Sequence, residues 1–109
     1  MGKTKSIVTK YEQYCAFCGR PATEEHHLVF GGTGGANRKL ADEDGIILPV
    51  CPGCHRLKPV KEKIHDNPMA EKLSRMAGQL AFEKRRCAEG ATEEDAREMF
   101  RKRYGVSYL

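Results

Sequence analysis

The sequence predicts a small α+β domain, an antiparallel hairpin plus a helix followed by two C-terminal helices. Three observations predict it. Two C-x-x-C knuckles, Cys15-Ala16-Phe17-Cys18 and Cys51-Pro52-Gly53-Cys54, stand 32 residues apart. Two short apolar runs lie between them, and the second run leads straight into the second knuckle. From Pro68 onward apolar residues recur at helical spacing. Paired knuckles in a chain without secretory sequence are the ligand pattern of a closed four-thiolate zinc site, each knuckle gripping one side of a tetrahedron. The alternative is two disulfides or four buried thiols, and an intracellular setting argues against it.

A chain of 109 residues is one domain, near the size at which an apolar core alone gives modest stability. With 39% apolar residues, no Trp, four Phe and four Tyr, the core is thin, and an ion that folds the segment around itself would relieve it. Lys+Arg 19 against Asp+Glu 15 gives a formal charge of +4, which permits contact with a polyanion without requiring it. No apolar run approaches the roughly 18 residues of a membrane span. The Met1-Gly2-Lys3-Thr4-Lys5 start leads into no hydrophobic signal region, so a soluble, cytoplasmic chain with no membrane partner is expected.

Residues 1–14 read as an N-terminal arm, frayed or forming a short leading strand over its first ten residues. Residues 15–65 form the metal-bound core. Cys18-Gly19 suits the tight turn in which backbone amides face a thiolate. His26 to Phe30 is strand-like, and Gly31 to Lys39, with four glycines in its first five residues, reads as a loop in which Arg38 and Lys39 place positive charge. It lacks the ending of a nucleotide-binding P-loop. An ordinary mobile loop and a phosphate-contacting one are both compatible with its composition. Asp42-Glu43-Asp44-Gly45 is a turn signal, and Ile46 to Val50 a second strand that delivers Cys51. A helical turn should follow Cys54, and Arg56, Lys58, Lys61 and Lys63 against Glu62 make a local basic run.

Residues 66–109 form a helical extension packed on the core. Met69, Leu73, Met76 and Leu80 mark the packing face of a helix from Pro68 to about Arg86, capped by Asp66 or Asn67. A shorter helix follows Ala91, with Thr92 and Asp95 as a capping pair and Ala96, Met99, Phe100 and Tyr104 on one side. The apolar tail to Leu109 is expected to dock on the helices, and Cys87, the fifth cysteine, reads as a structural thiol.

The four histidines, His26, His27, His55 and His65, all lie in or just after the knuckle segment. Thiolates fill the first site, so the imidazoles are surplus to it. Neighbours in a strand point to opposite sides, so His26 and His27 suit a division of labour: one holds a second, catalytic metal and the other works as a base.

Glu25-His26-His27-Leu28, the glycine-rich excursion, Leu48-Pro49-Val50-Cys51 and Cys54-His55 together resemble the HNH endonuclease motif, the ββα-metal or His-Me finger in its cysteine-bearing form. His26 to Gly31, Ala36 to Lys39, Asp44-Gly45, Cys51-Pro52, His65-Asp66-Asn67, Gln79 to Glu83 and the Tyr104 to Leu109 end are similar to small HNH-like proteins of phages and prophages, over roughly residues 15 to 109. The resemblance implies a zinc-stapled ββα-metal finger, a structural zinc at Cys15, Cys18, Cys51 and Cys54, and a catalytic divalent ion (Mg2+, Mn2+, Ni2+ or Zn2+) at His26 and His55, with His65 as a third ligand if the chain turns back. It implies His27 as general base, and Arg38, Lys39 and the basic run after Cys54 as charge for the substrate phosphate. Asp44 or Asn37 fills the middle HNH position, with Asp44 favoured as the brace for the hairpin and a partner for His27. The implied activity is metal-dependent hydrolysis of DNA phosphodiester bonds in a bacterial host cell, with phage packaging or recombination proteins as further partners. A non-catalytic zinc-knuckle module that binds nucleic acid or protein is the competing reading.

Overall fold

The computed structural model of the chain describes residues 5–109; the first four residues of the expected N-terminal arm lie outside the described residues. The arm that is described is tied down. Ile7 donates its backbone N–H to Gly45 O at 2.8 Å and packs against the core, and Ser6 Oγ donates to Ile47 O at 2.7 Å.

Two strands, β1 (Glu24–His27) and β2 (Ile47–Val50), pair antiparallel with Glu24 opposite Val50 and His27 opposite Ile47. The first strand begins two residues earlier than expected and stops at His27; Leu28 still donates to Ile46 O at 3.0 Å. Between the strands the anticipated loop and turn are largely a helix, α1 (Ala36–Asp44). The glycines end just before it. Gly45, at φ 74°, caps its far end in the left-handed conformation with its N–H on Ala41 O and Asp42 O, so the acidic run is a last helical turn. Carboxylates at a helix C-terminus oppose its dipole. Arg103 offsets them, with Nη2 3.0 Å from Glu43 Oε1 and Nε 2.7 Å from Asp44 Oδ2.

After Cys51 the expected helix of the hairpin-plus-helix unit is reduced to one wide turn over Gly53–Leu57. The chain then doubles back: Ile64 N bonds Cys54 O at 3.0 Å and His65 N bonds His55 O at 3.2 Å. Two long helices come next, as expected, α2 (Pro68–Ala88) and α3 (Glu93–Tyr104). Asn67 Oδ1 accepts from Ala70 N and Thr92 Oγ1 from Asp95 N, one cap for each.

The face of α2 is the main departure from the expected packing. Met69, Leu73 and Leu80 are 73%, 58% and 55% exposed. The buried face instead carries Ser74, Gly78, Gln79, Phe82 and Glu83. Close approach and hydrogen bonds decide the orientation. Gly78 lies against Leu28 and Val29, Ser74 Oγ donates to Leu28 O at 2.8 Å, Gln79 Oε1 accepts from Tyr108 N at 2.7 Å, and Glu83 pairs with Arg97 at 2.9 Å. Hydropathy spacing is blind to all four contacts.

Two buried clusters result. Val29, Ala41, Ile46, Phe82, Phe100 and Tyr104 join the hairpin, α1 and both C-terminal helices, with Phe100 stacked on Tyr104 at 4.4 Å and Tyr108 of the tail packed alongside. Met99, expected on this side, is 43% exposed. Cys15, Val50, Cys51, Cys54 and Ile64 form the second cluster. Cys87 is a half-buried free thiol on α2. Among the described residues no helix is long and apolar enough to cross a membrane.

Candidate metal centres

Cys15, Cys18, Cys51 and Cys54 bring their sulfur atoms within 4.8 Å of one another, and all are free thiols. The Cys18 and Cys51 sulfurs are 3.7 Å apart, close to the roughly 3.8 Å edge of a tetrahedron of thiolates bound at about 2.3 Å. Backbone amides prepare the donors. Burial pushes the Cys15 thiol up, but hydrogen bonds from the Cys18, Cys51 and Phe17 backbone and the Cys18 side chain outweigh it and bring the group down to about 6. The same cause, burial, pushes Cys54 up to about 12, partly offset by Lys58, whose Nζ donates to its sulfur at 3.4 Å. This cluster can hold a metal ion.

His26, His55 and His65 form a second cluster, with one ring nitrogen from each within 4.8 Å of the others. The return of the chain after the Gly53–Leu57 turn brings His65 there, through its backbone bond to His55. Each ring has its other nitrogen committed. Ser74 Oγ spends its proton on Leu28 O, so it accepts from His26 Nε2–H at 2.7 Å. His55 Nδ1 donates to Glu24 Oε1 at 2.9 Å, and His65 Nδ1 lies 3.5 Å from Glu71 Oε2. The first two contacts set the tautomers of His26 and His55 and leave lone pairs on His26 Nδ1 and His55 Nε2, and His65 turns its Nε2 toward His55 Nε2.

These nitrogens converge. His55 Nε2 and His65 Nε2 are 3.0 Å apart, and His26 Nδ1 is buried without a hydrogen-bond partner. Lone pairs facing one another in a buried spot repel unless a proton or a cation lies between them, and an orphaned buried acceptor is costly. Burial, reinforced by His55, His65, His27 and Arg75, holds His26 down at about 3, which keeps the ring neutral near pH 7 as a ligand must be. Burial and His55 also lower His65. Glu24 is held down at about 2 by Arg56 first and His55 second, so the carboxylate that orients His55 stays charged.

His27 points to the other side of β1, as alternation requires, and its Nε2 lies 2.9 Å from Asp42 Oδ1. Asp42 on α1 is thus the partner expected of Asp44. Asp44 faces away, accepting from Tyr104 Oη at 2.7 Å and from Arg103, and it anchors α3 to α1. The cause is the unforeseen helix, which separates residues 42 and 44 by about 200° around its axis. Asn37 donates its N–H to Gly31 O at 3.2 Å and braces the glycine loop.

A cleft of about 420 Å³ joins these groups, lined by His26, His27, His55 and His65 with Glu25, Phe30, Gly31, Gly32 and Arg38. Helix α1 puts Arg38 there. The basic run after Cys54 is largely spent on the fold: Arg56 pairs with Glu24, Lys58 with Cys54, and Lys63 with Asp66. A neighbouring cleft of about 630 Å³ also reaches His27 and His55 but adds Glu12 and Glu24 to the Glu25 that both clefts share, a poorer lining for a polyanion.

Part of the chain has a relative. A segment of 43 residues, 39% of the chain, is 44% identical to the Uncharacterized protein YdfU of Escherichia coli (strain K12). The match spans 12% of that protein's length. No family model matches the chain, and no solved structure matches it.

Asp42, Glu24, Ser74 and Glu71, the groups that orient the imidazoles, carry no signal in the sequence. Ser74 lies 48 residues from His26 and Glu24 31 from His55, and no local pattern connects them.

Proposed function

We propose that the chain is a metal-dependent DNA endonuclease of the HNH kind, a ββα-metal finger stapled by zinc at its four cysteines. His26, His55 and His65 would hold the catalytic divalent ion, Mg2+, Mn2+, Ni2+ or Zn2+. The observation that carries this reading is the convergence of three imidazoles, one ring nitrogen from each, beside a fourth imidazole oriented by a carboxylate, in a cleft edged by Arg38. Four thiolates close a site and suit zinc, whereas three neutral imidazoles leave coordination positions for substrate oxygens. When bound, the ion would supply positive charge to the substrate phosphate.

His27 does the proton chemistry. Its Nε2–H donates to Asp42, which leaves Nδ1 to take a proton from water as the hydroxide attacks phosphorus in line. Asp42, half-buried on α1, holds the tautomer and stabilises the imidazolium that forms. Arg38, on the rim, offsets charge growing on the phosphate oxygens.

The test is plasmid nicking with each divalent ion in turn. Wild type cuts, and His27→Ala loses cutting while keeping the ion of its four cysteines. Cutting retained in that variant removes His27 from the mechanism. No cutting by wild type with any ion leaves a zinc-knuckle binding module.

A further inference from the structure

Behind the Gly31-Gly32 wall of the histidine cleft lies a second cleft of about 450 Å³, formed by Phe30, Asn37, Lys72, Arg75, Met76 and Tyr108. The two share Phe30, Gly31 and Gly32. We propose that this second cleft is a nucleotide subsite: Arg75 and Lys72 hold a phosphate next to the one at the histidines, and Met76 and Tyr108 receive the attached sugar and base. The proposal rests on the nuclease reading for its place along the strand, and on its own cleft for the ligand chemistry.

Three observations carry it. First, Arg75 and Lys72 pair with no carboxylate among the described residues, and, unlike Lys84, Arg85 and Lys102, which are likewise unpaired, both line this cleft. Unspent cations beside an apolar floor fit an anion with an apolar part. Second, Arg75 is already positioned. Its guanidinium lies 4.1 Å from the centroid of the Phe30 ring, and a Cβ added to Gly31 would meet its Nη2 at 3.9 Å. Less side-chain freedom is then lost on binding. Third, the wall itself is low. Beside Phe30, which both clefts share, Gly31 and Gly32, at φ 100° and 79°, contribute backbone without side chains of their own, so a strand can cross closely there. A polyanion thus meets Arg38 and the histidines on one side and Arg75 and Lys72 on the other.

The experiment measures anisotropy of a fluorescein-labelled single-stranded oligonucleotide across a salt series, in full-length His27→Ala protein so that cutting does not intervene. Arg75→Ala and Lys72→Ala are each expected to weaken binding roughly tenfold, and to lower the slope of log Kd against log salt by about one. Arg75→Lys should restore most of the slope. Lys84→Ala, exposed farther along α2, should leave affinity and slope unchanged. Metal content and circular dichroism verify folding, and if Arg75→Ala fails to fold, Lys72→Ala decides alone. Wild-type affinity and slope in both alanine variants overturn the subsite. Equal flattening by Lys84→Ala does so too, since charge would then act diffusely. Binding that depends on Arg75 and Lys72 in a chain that never cuts supports the subsite and removes the nuclease. Cutting whose KM ignores both residues does the reverse.

Discussion

Replacing Gly78 with alanine tests the central packing claim, that α2 is oriented by close approach. At an open position inside a helix this change stabilises by about 1 kcal/mol. At Gly78 the added Cβ would lie 2.9 Å from Leu28 Cβ and 2.9 Å from Val29 Cγ2. Neither neighbour gives way easily: one atom sits directly on the backbone, the other belongs to a stiff β-branched side chain, and both residues are fully buried. Overpacking of this kind costs about 1–3 kcal/mol, so the net effect is a loss of up to about 2 kcal/mol. Near 1 kcal/mol, the melting temperature falls by roughly 4–8 °C. The site should suffer as well. Ser74 lies one turn away on the same face, and a helix pushed outward takes its hydroxyl from His26 Nε2 and Leu28 O. Affinity of the histidine cluster for Co2+ or Ni2+ should then drop about tenfold. Thermal melts by circular dichroism and a metal titration read both effects. A raised melting temperature with unchanged metal affinity would refute the reasoning.

Cys51→Ser, or stripping the metal with a chelator, should abolish the cooperative melt, because the four thiolates cross-link segments that otherwise share a thin cluster; metal content and a melt check it. On the proposed two-ion reading, wild type binds two ions per chain and His55→Ala one, the thiolate ion staying, as read by elemental analysis; two ions retained in the variant would place the second elsewhere. Asp42→Asn should leave the melt within about 0.5 kcal/mol of wild type yet slow DNA cutting about 10–100-fold, through the lost orientation of His27. Asp44→Ala should do the opposite, costing about 1–3 kcal/mol in a urea melt by stranding the buried Tyr104 hydroxyl, with cutting unchanged where the protein is folded.

The cysteine donors and the separation of His26 from His27 were legible because their signals are local, whereas the meeting of His26, His55 and His65 depends on the chain's return after Leu57. A C-x-x-C pair grips an ion within one turn of chain, and alternation along a strand separates His26 from His27 whatever the rest of the fold does. Helix caps at Asn67 and Thr92 are local as well. The middle of the chain was not legible, because four glycines and an acidic turn signal hide the helix that lies between them: α1 starts at Ala36, immediately after the glycine run, and Gly45 ends it. That helix puts Asp42 against His27 and turns Asp44 toward Arg103 and Tyr104.

The chain itself determined which atoms can bind metal and roughly where strands and long helices fall, since knuckle spacing, alternation and capping act between near neighbours. Tertiary structure alone decided which imidazole nitrogens face one another, which carboxylate serves each ring, and which side of α2 is buried. Those outcomes depend on contacts between residues 6 to 60 positions apart, and on a glycine whose value is the space it leaves.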